Sequence, residues 1–240
     1  QDFYNLVDVY LDAVFHPRIT PETLQQEGWH YELDGLDKPL VYKGVVFNEM
    51  KGVYSSPEDV LDEYCQRSLF PDTTYGVDSG GDPRHIPDLT FEQFLDFHAT
   101  LYHPSNSYIY FYGDDEPEHR LEIIDAYLDG YETREVDSSI GDPAPCTAAR
   151  RLIYGYDPGD DSPTEARSMF SVNGLLPPTH DLDANLAPSV LAFSLIGTPA
   201  APLRKALLDS GLGEDLAGTG FANYMKQMYF GTGLRGIRSE

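Results

Sequence analysis

The chain has 240 residues, enough for one large domain or two moderate ones, each with a real core. A hydrophobic share of 41% and an aromatic share of 12% exclude a disordered segment, and no apolar run reaches the roughly 18 residues of a membrane-spanning helix. With 40 acidic against 16 basic residues the formal net charge is −24, which leaves no basic stripe for phosphates and excludes nucleic acid and anionic membranes as partners.

Gln1-Asp2-Phe3-Tyr4 has no methionine, basic n-region or apolar h-region and reads as the middle of a protein. Phe3, Leu6, Val7, Tyr10, Leu11 and Val14 recur at helical spacing, which predicts a helix over 2–14 stopped by Pro17. Thr20-Pro21-Glu22 predicts a second helix, with Thr20 as N-cap and Pro21 in the first position; Leu24, Glu27 and Trp29 ride on it. Leu40 to Phe47 is a dense β-branched and aromatic run, with Glu49 just beyond it. From Pro57, the residues Val60, Leu61, Tyr64, Cys65 and Leu69 trace another helix. Residues 70–89, with Gly76, Gly80 and Gly81, form a long loop of the kind that is more often functional than idle.

Thr90-Phe91-Glu92-Gln93 is a capping box that opens a helix ending near Tyr102. Tyr108 to Tyr112 reads as a strand and Pro117 to Leu128 as a helix. Texture then changes: 132–149 is rich in Asp, Ser, Pro and small residues, without periodicity, and reads as a linker. Beyond it come strands over Arg151–Tyr156 and Arg167–Leu176, helices over Leu182–Ile196 and Pro202–Leu208, and Gly-rich strands from Leu216 to Ile237 that run out at the end. The division is therefore 1–131, a linker at 132–149, and 150–240. Mixed elements on both sides of the linker make the fold class α+β, and the two units could be divergent copies of one fold.

Cys65 and Cys146 stand far apart, so neither a disulfide framework nor a cysteine zinc site is expected, and Cys65 reads as a small buried residue of a helix. The absence of Asn-x-Ser/Thr sequons fits a reducing interior. The histidines at 16, 30, 85, 98, 103, 119 and 180 form neither HExxH nor HxxEH; His98 and His103 bracket a helix end and should cap or pack there. No GxxxxGK[ST] phosphate-binding loop and no GxSxG nucleophile elbow occurs. Two carboxylates stand in apolar settings. Glu49 follows Val45-Val46-Phe47-Asn48, a run whose pattern predicts burial, and Glu27 lies beside Gly28-Trp29 on a partly apolar helix. A buried lone carboxylate needs a cation, a metal or hydrogen-bond donors. A carboxylate that faces solvent, or pairs with a lysine such as Lys51, needs no metal; the residues alone leave both readings open.

Tyr42-Lys43-Gly44-Val45-Val46-Phe47-Asn48-Glu49-Met50-Lys51-Gly52 resembles the signature that follows the catalytic motif in presequence proteases, zinc peptidases of the pitrilysin/insulysin clan with an inverted HxxEH motif. The likeness continues through Gln26-Glu27-Gly28-Trp29, Ser79-Gly80-Gly81-Asp82-Pro83, Phe97-His98-Ala99-Thr100, Tyr102-His103-Pro104-Ser105-Asn106 and Ser210-Gly211-Leu212-Gly213. It covers nearly the whole chain and is least in the linker.

The resemblance implies two homologous α+β units, each an antiparallel sheet with helices on one face and both incomplete here. They would belong to an enzyme whose halves close around a chamber and hydrolyse short unfolded peptides without a covalent intermediate. It implies zinc as cofactor, with Glu49 as a metal ligand and Glu27 as a supporting acidic residue. The two histidine ligands and the general base of HxxEH would lie upstream, so this chain alone is expected to be inactive. The implied partners are short peptides and the remainder of the same polypeptide. The rival reading is a non-catalytic scaffold or chamber-wall member of the same clan.

The acid excess reads as a salt adaptation, which places the chain in the cytoplasm of a salt-adapted prokaryote, or in an organelle matrix if it is eukaryotic; a solvated acidic face in an ordinary protein is the plainer alternative. If 40 acids repel one another in dilute buffer, screening should relieve them. The melting temperature is therefore expected to rise strongly between dilute buffer and molar KCl. A flat or falling melting curve series would remove the salt reading.

Overall fold

A computed structural model describes residues 2–157 and 165–238. Val7, Leu11 and Phe15, four residues apart, form the buried side of helix α1 (Asp2–Phe15) because steps of four stay on one helical face. Val14 packs with them, as do Ile123, Ile124 and Tyr127 of α6 (Pro117–Leu128), Phe111 and Tyr131. The tyrosine tips are satisfied: Tyr127 donates to the Asp8 carboxylate at 2.8 Å, and Tyr131 to the Phe15 carbonyl at 3.1 Å. Leu6 and Tyr10, which share the helical spacing, stand on the exposed side.

Both capping signals form. Thr20 Oγ1 accepts from the Thr23 amide at 3.3 Å ahead of α2 (Pro21–Thr23), which widens into a π-helical turn over Leu24–Gly28. Thr90 and Gln93 exchange side-chain-to-backbone bonds at the start of α5 (Phe91–Leu101). Strands β1 (His30–Glu32) and β2 (Val41–Lys43) pair antiparallel with Tyr31 opposite Tyr42.

The β-branched run at 40–47 is strand for only three residues. Gly44, at φ +144°, turns the chain into helix α3 (Val45–Val53); a Cβ there would overlap the Gly28 carbonyl oxygen. Local β propensity yields to that close backbone approach. Two further sequence strands, Tyr108–Tyr112 and Arg151–Tyr156, are not strands. A strand exists only with a ladder partner, and no described residue pairs with either segment. Tyr108, Tyr110 and Tyr112 still keep the strand-like alternation, standing out in solvent while Phe111 packs inward.

Strands β3 (Ser168–Pro178), β4 (Asp215–Ala222) and β5 (Gln227–Ile237) make an antiparallel sheet in the order β3-β5-β4. The central strand β5 buries Met228, Tyr229 and Leu234. Gly233 lets β3 come close, since a Cβ there would overlap the Phe170 carbonyl oxygen. Helices α4 (Pro57–Leu69), α7 (Leu182–Ile196) and α8 (Pro202–Asp209) pack on this sheet. Phe70, Ala222, Met225 and Tyr229 form its core, with Leu69, Tyr75 and Leu175 around them. The class is α+β.

Contacts divide the chain into Gln1–Asn48 with Arg84–Ser139, and Glu49–Pro83 with Ile140–Glu240. Sequence texture instead divides it at 131 and 149. The segment 49–83 groups with the C-terminal residues because Phe70 and Tyr75 lie in the core around Tyr229. Leu11→Ala should remove about 2–5 kcal/mol of stability by opening a cavity under α6, whereas Leu36→Ala, at a position 98% exposed, should change it little. Chemical denaturation of both variants checks this, and equal effects would mean that the helix pair is not a packed core.

Candidate functional site

The two carboxylates singled out by sequence are both exposed. Glu27 sits in the π-helical turn, where Gln26 Nε2 donates to it at 2.9 Å. Glu49 projects from the middle of α3, whose buried residue is Phe47 two positions earlier. Of the two readings the sequence left open for Glu49, the solvent-facing one holds here: the apolar run is helical from Val45, and Val45 and Val46 stand partly exposed. Within the first unit, Gly44 at the start of α3 rests on the backbone of Gly28, so the Gln-Glu-Gly-Trp phrase lies against the opening of the Asn-Glu-Met-Lys-Gly helix. Trp29 is anchored there, donating from Nε1 to the Leu89 carbonyl at 3.1 Å, with Tyr31 and Tyr42 edge-on to its ring.

In the second unit the glycine-containing loop is held to helix residues. Gly80 packs so closely on Met50 that a Cβ would overlap the sulfur. Arg67 donates to Tyr54 Oη at 3.1 Å, to the buried Asp82 carboxylate at 3.3 Å, and to Glu63. The Glu63–Arg67 spacing of four on a helix is legible in the sequence; the closure onto Asp82 is not.

The histidines cap and pack. His98 stacks on Tyr102 with ring centroids 4.7 Å apart, and His103 Nδ1 accepts from the Ser105 amide at 3.1 Å. Cys65 is buried, its Sγ accepting from Asn173 Nδ2 at 3.1 Å, and burial pushes its thiol pKa up, away from nucleophilic chemistry. Among the described residues no group of three or more His, Cys, Asp or Glu side chains could hold a metal ion. The described residues do not by themselves fit a zinc site, which needs about three protein ligands. Also among the described residues, no helix is long and apolar enough to cross a membrane.

Residues 88–238 match the family model of the peptidase M16 inactive domain. The chain belongs to the M16 peptidase family. It is 50% identical over 245 residues to presequence protease 1, chloroplastic/mitochondrial, of Arabidopsis thaliana, covering 100% of this chain and 23% of that protein. It is 43% identical to protein HypA of Clostridium perfringens over 96% of this chain and 24% of the relative. With the mitochondrial presequence protease of Xenopus tropicalis the identity is 40%, over 100% of this chain and 24% of the relative. The chain thus spans about a quarter of the length of these curated relatives. Within this M16 segment Glu27 and Glu49 both precede the stretch matched to the inactive domain.

Sequence reasoning passed over Asp62 of α4, which accepts from Thr219 Oγ1 at 3.0 Å in a small pocket with Asp59, Glu63, Asp78 and Tyr229. Burial raises its pKa, nearby Asp59 and Glu58 add to the rise, and the Thr219 bond opposes it. A carboxyl whose folded pKa is raised favours the folded state while protonated, and that contribution is lost as pH rises through the folded pKa. Asp62→Asn keeps the acceptor for Thr219 and removes the buried charge. The melting temperature should rise at pH 7, and the gain should shrink as pH falls through the raised folded pKa, to vanish below the ordinary carboxylate value. Thermal melts of both proteins at pH 7 and pH 3.5 decide it; no gain at pH 7 would show that the carboxylate is comfortably solvated.

Proposed function

We propose that this chain is one part of a longer zinc metalloendopeptidase that hydrolyses short unfolded peptides of the presequence type inside a closed chamber. The observation that carries this reading is the 50% identity, along the whole chain, to a protein named as a presequence protease. In the proposed organisation, 1–131 is the larger part of a first metallopeptidase unit, 132–149 a linker, and 150–240 the opening of a second, homologous unit. Its partners are peptide substrates and the remainder of the same polypeptide, with no role for nucleic acid or membrane. The proposed compartment is the cytoplasm of a salt-adapted prokaryote, supported by the net charge of −24 and the bacterial relative. An organelle matrix is the corresponding place in a eukaryote; the plant relative is named as chloroplastic/mitochondrial and the frog relative as mitochondrial.

Glu49 is proposed to supply one carboxylate to the zinc, with the other ligands outside this chain, and Glu27 to support the site. Two features favour these roles. An exposed carboxylate on a helix is open to a metal held by groups outside this chain. The Gly28–Gly44 contact also fixes the Glu27 turn against the start of the helix that bears Glu49. A second reading has its own support: the match of 88–238 to an inactive domain suits a non-catalytic chamber wall for that stretch. The two readings coexist if chemistry belongs to residues upstream of 88 and enclosure to those after it.

The test is zinc stoichiometry and cleavage of a fluorogenic peptide by the longer polypeptide. Glu49→Gln should weaken zinc binding and reduce turnover by at least about a hundredfold, and Glu27→Gln should be milder for metal content. As a control, the 240 residues alone should neither bind zinc tightly nor cleave the peptide in a chelator-sensitive way. Stoichiometric zinc with a near-normal rate in Glu49→Gln would refute the ligand assignment, and a wild-type polypeptide without zinc or activity would leave the scaffold reading.

A further inference from the structure

Helix α7 buries Ala192 against the sheet, with Ile196 half-buried on the same side. Its rotation is set by Asn185, which donates to the Thr179 carbonyl at 3.2 Å and accepts from Asn223 Nδ2 at 3.1 Å. On the side turned away, Leu182, Leu186, Val190 and Phe193 are 80%, 66%, 58% and 64% exposed. Their steps of four, four and three residues make one continuous stripe along the helix, bordering a shallow groove that also includes Ala187 and Ser194. A surface helix ordinarily carries polar residues on its outer side, and a helix apolar all round is one buried all round. An exposed stripe of this extent marks a surface made to be covered.

We propose that the outer stripe of α7 is covered, in the same molecule, by an apolar face of polypeptide lying beyond these 240 residues. Three observations choose this occupant. The relatives that share this segment are about four times its length, so most of their chain lies outside the matched region. A net charge of −24 makes a second copy repel the first in dilute buffer, which disfavours self-association. A tethered segment also acts at an effective concentration in the millimolar range, which a separate partner seldom reaches. The Asn185 bonds hold α7 with its stripe facing outward. The inference rests on the longer polypeptide proposed above, and not on its zinc or its activity.

The test places single thiol reporters in the groove of the longer polypeptide, in a Cys146→Ser background because Cys146 is exposed. Ser194→Cys and Ala187→Cys are small changes that spare the fold, and each is labelled with a maleimide under native conditions and in urea, with sites read by peptide mass mapping. Both thiols should react at least about a hundredfold more slowly in the native protein than in the unfolded one, independent of protein concentration. Native labelling as fast as in urea would overturn the proposal. Protection that disappears on dilution would overturn it too, in favour of a second copy as the cover. Zinc and peptidase activity are measured on the same preparation. Protection without activity keeps this inference and removes the peptidase reading, and activity with fast labelling does the reverse.

Discussion

Everything proposed for Glu27 and Glu49 depends on one backbone contact, that of Gly44 on the carbonyl of Gly28. No side chain fits between them, and Gly44 holds a positive φ that other residues rarely adopt. The contact ends β2, starts α3, and fixes the π-helical turn bearing Glu27 against the start of the helix bearing Glu49. The Gln-Glu-Gly-Trp phrase, sixteen positions before Gly44 in sequence, therefore lies against the first residues of α3. The aromatic group of Trp29, Tyr31 and Tyr42 packs around the same turn and stiffens it.

A chain with 16 bases for 40 acids uses several of its bases to tie distant segments together. Arg67 gathers Glu63, Tyr54 and Asp82, and so holds the loop that carries Gly80 and Asp82. Arg235 on β5 reaches both Glu58 of α4 and Asp215 of β4. Exposed pairs such as Lys38–Asp34 contribute little, because water screens them and side-chain entropy opposes them. The Arg67 group differs, since its Asp82 is buried and a buried pair is screened far less by water and salt than an exposed one.

The apolar stripe of α7 and the three solvent-facing tyrosines at 108, 110 and 112 are local sequence patterns without a partner among the described residues. Each carries the periodicity of a packed element, one helical and one strand-like, yet burial and ladder pairing need a second surface.

What the sequence determined by itself was local or carried by phrases. Thr20 and Thr90 announced their helices because a side-chain cap acts within three residues. The bounds of α7 followed from its apolar run, and family membership from the order of phrases along the chain. Tertiary structure decided whatever depended on residues far apart. The β-branched run at 40–47 turns helical from Val45 because Gly28, sixteen positions before Gly44, meets it. Glu49 became exposed because helical geometry turned it away from Phe47. Asp62 acquired a raised pKa only when its pocket formed with Thr219 and Tyr229 across more than a hundred residues. Hydrogen bonding within one turn is written in neighbouring residues, whereas burial, ladder pairing and charge environment exist only once distant segments meet.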